Sequence, residues 1–167
     1  IGGDNNKHYI NSVIEANIGE NVNLNWTKIQ NLNSYSGQIS SFNLSIGGNS
    51  EVQYNTFEFG GGFVRNEINT YMRSRGSNCE LNSLIVPSGK QHMDIFSIIN
   101  HKGSHCNSSQ LVKGILSDNS TGVFRGLTHV KNGAEKTNAK QANHNLLLSS
   151  KARMNSIPQL EIYEDDV

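Results

Sequence analysis

Apolar residues recur at alternate positions in short runs through the middle of the chain, and the runs themselves repeat. Glu51–Gly60, Arg65–Ser74, Asn78–Ser88 and Gln91–Asn100 fall into register about 13 residues apart, the mark of an internal repeat. Within them, Val52, Tyr54, Phe57 and Phe59 stand at i, i+2, i+5 and i+7, and Cys79, Leu81, Leu84 and Val86 repeat those offsets. Met93, Ile95 and Ile98 supply three of the four. Spacing by two predicts a strand with one buried face, and the slip of three predicts a bulge or corner that keeps the later residues pointing inward. A helix would need spacing of three and four throughout.

Short polar or glycine-rich turns separate the runs: Gly60–Gly62, Ser74–Ser77, Ser88–Gly89 and Lys102–Ser104. Units this short cannot bury an apolar face alone, so they must stack over a shared interior. Two runs per coil give a turn of roughly 27 residues and about six coils, an all-β parallel β-helix of flattened coils forming one domain over residues 1–167. A β-sandwich is the competing architecture, but it favours Asn-Gly hairpins, and only Asn132-Gly133 fits. Asn23, Asn43, Asn55, Asn69 and Asn82 either stack at corners as asparagine ladders or are ordinary turn polarity.

Composition narrows the function classes. Fourteen basic and fourteen acidic residues cancel, so no global field favours nucleic acid or an anionic membrane, and neither is expected as a partner. The longest apolar runs, such as Leu146–Leu148, fall far short of the roughly 20 residues of a spanning helix. Two cysteines make no disulfide framework, which points to a reducing compartment. Ile1 is not an initiator methionine and no signal-like segment opens the chain, so the sequence reads as a piece of a longer protein.

Little in the chain resembles catalytic machinery. His101, His105 and Cys106, after Gln91-His92-Met93-Asp94, are weak candidate ligands for zinc or iron, with solvated surface histidines the plainer reading. No Gly-x-Ser-x-Gly elbow occurs, and Gly60-Gly61-Gly62 lacks the Lys-Ser or Lys-Thr of a phosphate loop. Glu161, Glu164, Asp165 and Asp166 read as a charged strand edge that discourages unwanted pairing, although paired carboxylates on a β-helix are also how a glycan would be cleaved.

From Gln91 onward the blocks His101-Lys102-Gly103, Cys106-Asn107-Ser108-Ser109-Gln110, Lys113-Gly114-Ile115-Leu116-Ser117-Asp118 and Val123-Phe124-Arg125-Gly126 resemble, in order, those of the SufD family. Asn143-His144-Asn145-Leu146-Leu147-Leu148 and Pro158-Gln159-Leu160-Glu161-Ile162-Tyr163-Glu164-Asp165-Asp166-Val167 continue the resemblance and favour SufD over the related SufB. Residues 1–90 match only in their coil-like rhythm.

The resemblance implies a right-handed parallel β-helix, a non-catalytic scaffold that pairs with a SufB-like subunit and a SufC-like ATPase to assemble iron-sulfur clusters. The cluster is then the product of the assembled complex, and no cofactor is expected on this piece. The family's N-terminal and C-terminal helical regions are expected to lie outside it, as is a Lys-Cys-Ser-His-Gly motif expected directly after Val167. The stretch Pro158, Gln159, Leu160, Glu161, Ile162 and Tyr163 leads into that motif and is the expected partner interface. A bacterial cytoplasm or plastid stroma is the expected location, and whether the piece forms a homodimer without its partners stays open. The alternative reading is a glycan-binding or glycan-cleaving β-helix; a structural adhesion repeat would show more regular units.

Overall fold

The computed structural model describes residues 6–167, which contain eleven strands and no helix. In chain order these are β1 (Tyr9–Ile18), β2 (Asn23–Gln30), β3 (Gly37–Ile46), β4 (Glu51–Glu58), β5 (Phe63–Met72), β6 (Asn78–Ile85), β7 (His92–His101), β8 (Asn107–Leu116), β9 (Thr121–Val130), β10 (Asn138–Leu147) and β11 (Arg153–Ile162). Odd strands form one sheet, β1-β3-β5-β7-β9-β11, and even strands the other, β10-β8-β6-β4-β2. Every pairing is parallel, and each strand pairs with the strand two further along the chain. The result is a two-sheet solenoid of about five turns.

That is fewer than the six coils the repeat length suggested, because turns lengthen toward the C-terminus. Register steps run from Tyr9 to Gly37, Phe63, His92, Thr121 and finally Arg153, so the last coil is the longest. Its extra residues lie in the 131–137 and 148–152 turns.

The expected bulge does not exist. Pairing is one-to-one along β4, β6 and β7 with no skipped residue, so alternation by two continues unbroken. Thr56 and Glu58 therefore point inward beside Val52 and Tyr54, while Phe57 is half-buried on the outer face and Phe59 is exposed. Ser83 and Ile85 likewise displace Leu84 and Val86 from the interior, and Ser97 and Ile99 displace Ile98. The apolar pattern misled because polar side chains enter the core and apolar ones line the outside of the sheets.

Apolar packing is strongest at the two ends of the strands. Leu44, Ile46, Met72, Cys79 and Ile99 form one cluster, joined by the ring contacts Trp26–Phe42 (5.1 Å) and Phe42–Tyr54 (4.4 Å). Val64, Ile85, Met93, Ile95, Val112 and Phe124 form a second. Full burial of each large side chain contributes roughly 1.5–3 kcal/mol, and the stack acquires it only when neighbouring coils close over it.

Turns stack as the strands do. Asn21 N–H donates to Gly48 O, Asn49 to Arg75 O, Gly76 to Ser104 O and His105 to Glu135 O, at 2.7–3.1 Å. Asn21, Asn49 and His105 adopt left-handed φ (57°, 52° and 58°), which Asn and His tolerate better than most residues. At Gly60 the requirement is space: a Cβ there would lie 2.0 Å from the Leu32 carbonyl oxygen of the coil above.

The asparagine ladders are real but sit mid-strand on the outer faces rather than at corners. Asn82 Nδ2 donates to Asn55 Oδ1 (3.1 Å), Asn55 Nδ2 to Asn25 Oδ1 (3.4 Å), and Asn69 Nδ2 to Asn43 Oδ1 (3.0 Å). Asn23 has strand register opposite Glu51 instead.

Candidate functional site

Three places hold the chemistry-bearing residues. The first is the interior, where polar side chains reach from one sheet to the other. Lys28 Nζ donates to Ser40 Oγ and to Glu58 Oε1, both at 3.0 Å. Asn66 Nδ2 donates to Glu58 Oε1 (3.3 Å) and receives Ser40 Oγ–H on its own oxygen (3.0 Å). Glu58 is wholly buried, and its Oε2 has no hydrogen-bond partner. Burial, then the Glu58 charge, pushes the Tyr54 hydroxyl well above its ordinary range. A cavity of about 320 Å³ opens beside this group in the first coil, with Lys28, Ser40, Tyr54 and Asn66 on its wall.

Further along, Gln110 bonds to Ser97 and Gln141 Nε2 to Thr128 Oγ1 (2.6 Å), again bridging the sheets. Gly126 makes room for both glutamines: a Cβ there would meet Gln110 Oε1 at 3.0 Å and Gln141 Oε1 at 3.1 Å. These bridges went unread in the sequence, and only uninterrupted alternation, counted without regard to polarity, would have found them.

The second place is the corner after β7. His101 is not a solvated surface residue: it ends β7 pointing inward, wholly buried, with Nε2 2.8 Å from Ser108 Oγ and Nδ1 unpartnered. Burial lowers its pKa to about 4. Cys106 is also buried, its Sγ 3.2 Å from Ser77 Oγ and 3.2 Å from Ser74 O. His105 instead lies in the turn stack, with Nε2 3.5 Å from Arg75 Nη2. Among the described residues no three His, Cys, Asp or Glu side chains converge as a ligand set. Cys79, the other free thiol, is buried and pushed up to about 12 by desolvation.

The third place is β11, which ends its sheet among the described residues. Arg153 N–H donates to Ser120 O and Tyr163 N–H to Val130 O, so odd residues bond to β9 and even residues face the free edge. Pro158, lacking an N–H, therefore costs the ladder to β9 nothing. Leu160 and Ile162 continue the inward columns of Thr128 and Val130, yet are 52% and 45% exposed. Pro158, Gln159 and Leu160 line a 180 Å³ depression with Ala139 and Gln141, and Leu160 and Ile162 line another of 160 Å³. On the outer face Glu161 Oε2 meets His129 Nε2 at 3.1 Å and the Tyr163 hydroxyl at 3.4 Å. Glu164 takes a different role, accepting Gly133 N–H at 2.7 Å. The two carboxylates thus do not converge as a catalytic pair.

A parallel two-sheet solenoid whose coils are tied internally by polar bridges belongs to the β-helix class. The family description "SUF system FeS cluster assembly, SufBD core domain" matches residues 2–167, and the chain belongs to that family. It is 32% identical over 161 residues to the iron-sulfur cluster assembly protein SufD of Escherichia coli K12, covering 96% of this chain and 38% of that protein. It is 27% identical over 158 residues to SufD of Bacillus subtilis (94% and 36%), and 29% identical over 164 residues to the chloroplastic protein ABCI7 of Arabidopsis thaliana (96% and 34%). The chain spans little more than a third of the length of these relatives. The similarity also runs through residues 2–90, where the sequence had shown only a coil-like rhythm.

Proposed function

We propose that this chain is the β-helical part of a SufD-type scaffold, which pairs with a SufB-like subunit and a SufC-like ATPase for iron-sulfur cluster assembly. ATP chemistry belongs to the ATPase, the cluster is the product of the assembled complex, and the scaffold itself is non-catalytic and carries no resident cofactor. The observation that carries the reading is the family match over residues 2–167. Pro158, Gln159, Leu160, Glu161, Ile162 and Tyr163 form the proposed partner-facing edge. Bacterial and chloroplastic relatives support a bacterial cytoplasm or plastid stroma as the setting. No helix of the described residues is long and apolar enough to cross a membrane.

Co-purification tests the proposal. Tagged parent-length protein is expressed with untagged SufB-like and SufC-like subunits, and the complex is sized by native mass spectrometry. A stable three-component assembly is the expected result. Absence of any complex would overturn the scaffold reading and return attention to glycan binding.

A further inference from the structure

The one Asn-Gly pair in the chain makes no hairpin. Lys131, Asn132, Gly133 and Ala134 form a tight turn closed by Ala134 N–H to Lys131 O at 3.0 Å, with Gly133 at φ +85°. Positive φ at the third position, and not at Asn132, defines a type II turn. Asn132 and Gly133 are both exposed. Glu164, arriving from the segment after β11, places its carboxylate 2.7 Å from the Gly133 nitrogen. Asp166 O accepts Lys136 N–H nearby, so this segment is fastened at two points over the 131–136 turn.

We propose that Asn132 is a latent deamidation site and that the Glu164 carboxylate holds it unreactive. In the reaction, the Gly133 backbone nitrogen loses its proton to solvent base and forms a bond to Asn132 Cγ. The Cγ–Nδ2 bond then breaks and ammonia leaves, giving a succinimide that water opens to aspartate or isoaspartate.

Two features of the folded turn oppose the first step. The N–H that must be lost is engaged by a carboxylate, and that carboxylate is held below its usual pKa chiefly by this same bond, so it does not act as a base toward an amide. A type II turn also holds ψ of its second residue near ~+120°, which rotates the Gly133 nitrogen away from the Asn132 side chain. Glycine supplies no Cβ to hinder attack once the turn opens. The product carries a new negative charge on the residue next to Gly133, whose N–H the Glu164 carboxylate holds, so conversion repels the group that had protected the site. Strand β11 and its Leu160–Tyr163 edge lie immediately before that segment, and their anchoring loosens with it.

The test incubates purified full-length protein in mildly alkaline buffer at physiological temperature. Peptide mass mapping follows conversion at Asn132, and enzymatic methylation reports isoaspartate. Glu164→Ala is expected to accelerate conversion by about tenfold, the scale of one charge-assisted hydrogen bond. Asp165→Asn, a charge change in the same segment away from the Gly133 amide, is expected to leave the wild-type rate unchanged. Equal rates in wild type and Glu164→Ala would overturn the proposal. So would equal acceleration by both variants, which would mean general loosening, or no conversion at Asn132 even in urea-unfolded protein.

Discussion

Lys28→Met tests whether the polar bridges hold the coils together. The Glu58 carboxylate has no exposed surface, and two donors reach Oε1: the Lys28 ammonium at 3.0 Å and the Asn66 amide at 3.3 Å. Methionine keeps the volume of the lysine stem but leaves the carboxylate with one long neutral donor. Removing one partner of a buried ion pair typically costs 3–5 kcal/mol. The Lys28 side chain retains 18% exposure, so water partly replaces it, and the lower end, about 3 kcal/mol, is expected. In a domain of this size that lowers the melting temperature by roughly 6–12 °C. Glu58→Gln added to Lys28→Met removes the stranded charge while keeping an amide that can bond Asn66, so the pair is expected to be more stable than Lys28→Met alone. Circular dichroism melts of the wild type, both single variants and the double variant complete the cycle. A Lys28→Met shift below about 2 °C, or a double variant no better than Lys28→Met, would refute the account.

Three further outcomes are expected. His101 has a folded pKa near 4 against an ordinary 6.5, so the unfolded chain binds more protons between these values and stability falls as pH drops through that window. Full loss amounts to about 3 kcal/mol, and His101→Gln should flatten this part of the pH–stability curve. Gly126→Val would drive methyl groups into Gln110, Gln141 and Phe124 and should cost about 1–3 kcal/mol, read by denaturant unfolding. Leu160→Asp with Ile162→Asp is expected to abolish co-purification with a SufB-like subunit, with circular dichroism of the variant checking that it still folds; retained assembly would remove these residues from the interface.

The sequence showed the repeat, the strand-and-turn unit, the parallel solenoid and the family, because coil length and turn chemistry are local properties that neighbouring coils repeat. Gly60–Gly62 and Ser74–Ser77 fell at turns as read. It placed Phe57, Leu84 and Ile98 inside, where they are not, since it counted apolar residues and took polarity as a marker of the surface. Thr56, Glu58, Ser83 and Ser97 are inside because each finds a partner from the next coil or the opposite sheet, and a partner on another strand cannot be seen in the alternation of a single strand. His101 was misplaced for the same reason: its acceptor or donor, Ser108, lies across the corner. Tertiary stacking alone decided which faces close, how Glu164 comes to rest on Gly133, and that Leu160 and Ile162 face inward yet stay uncovered at the edge, because burial is a property of what the neighbouring coil brings.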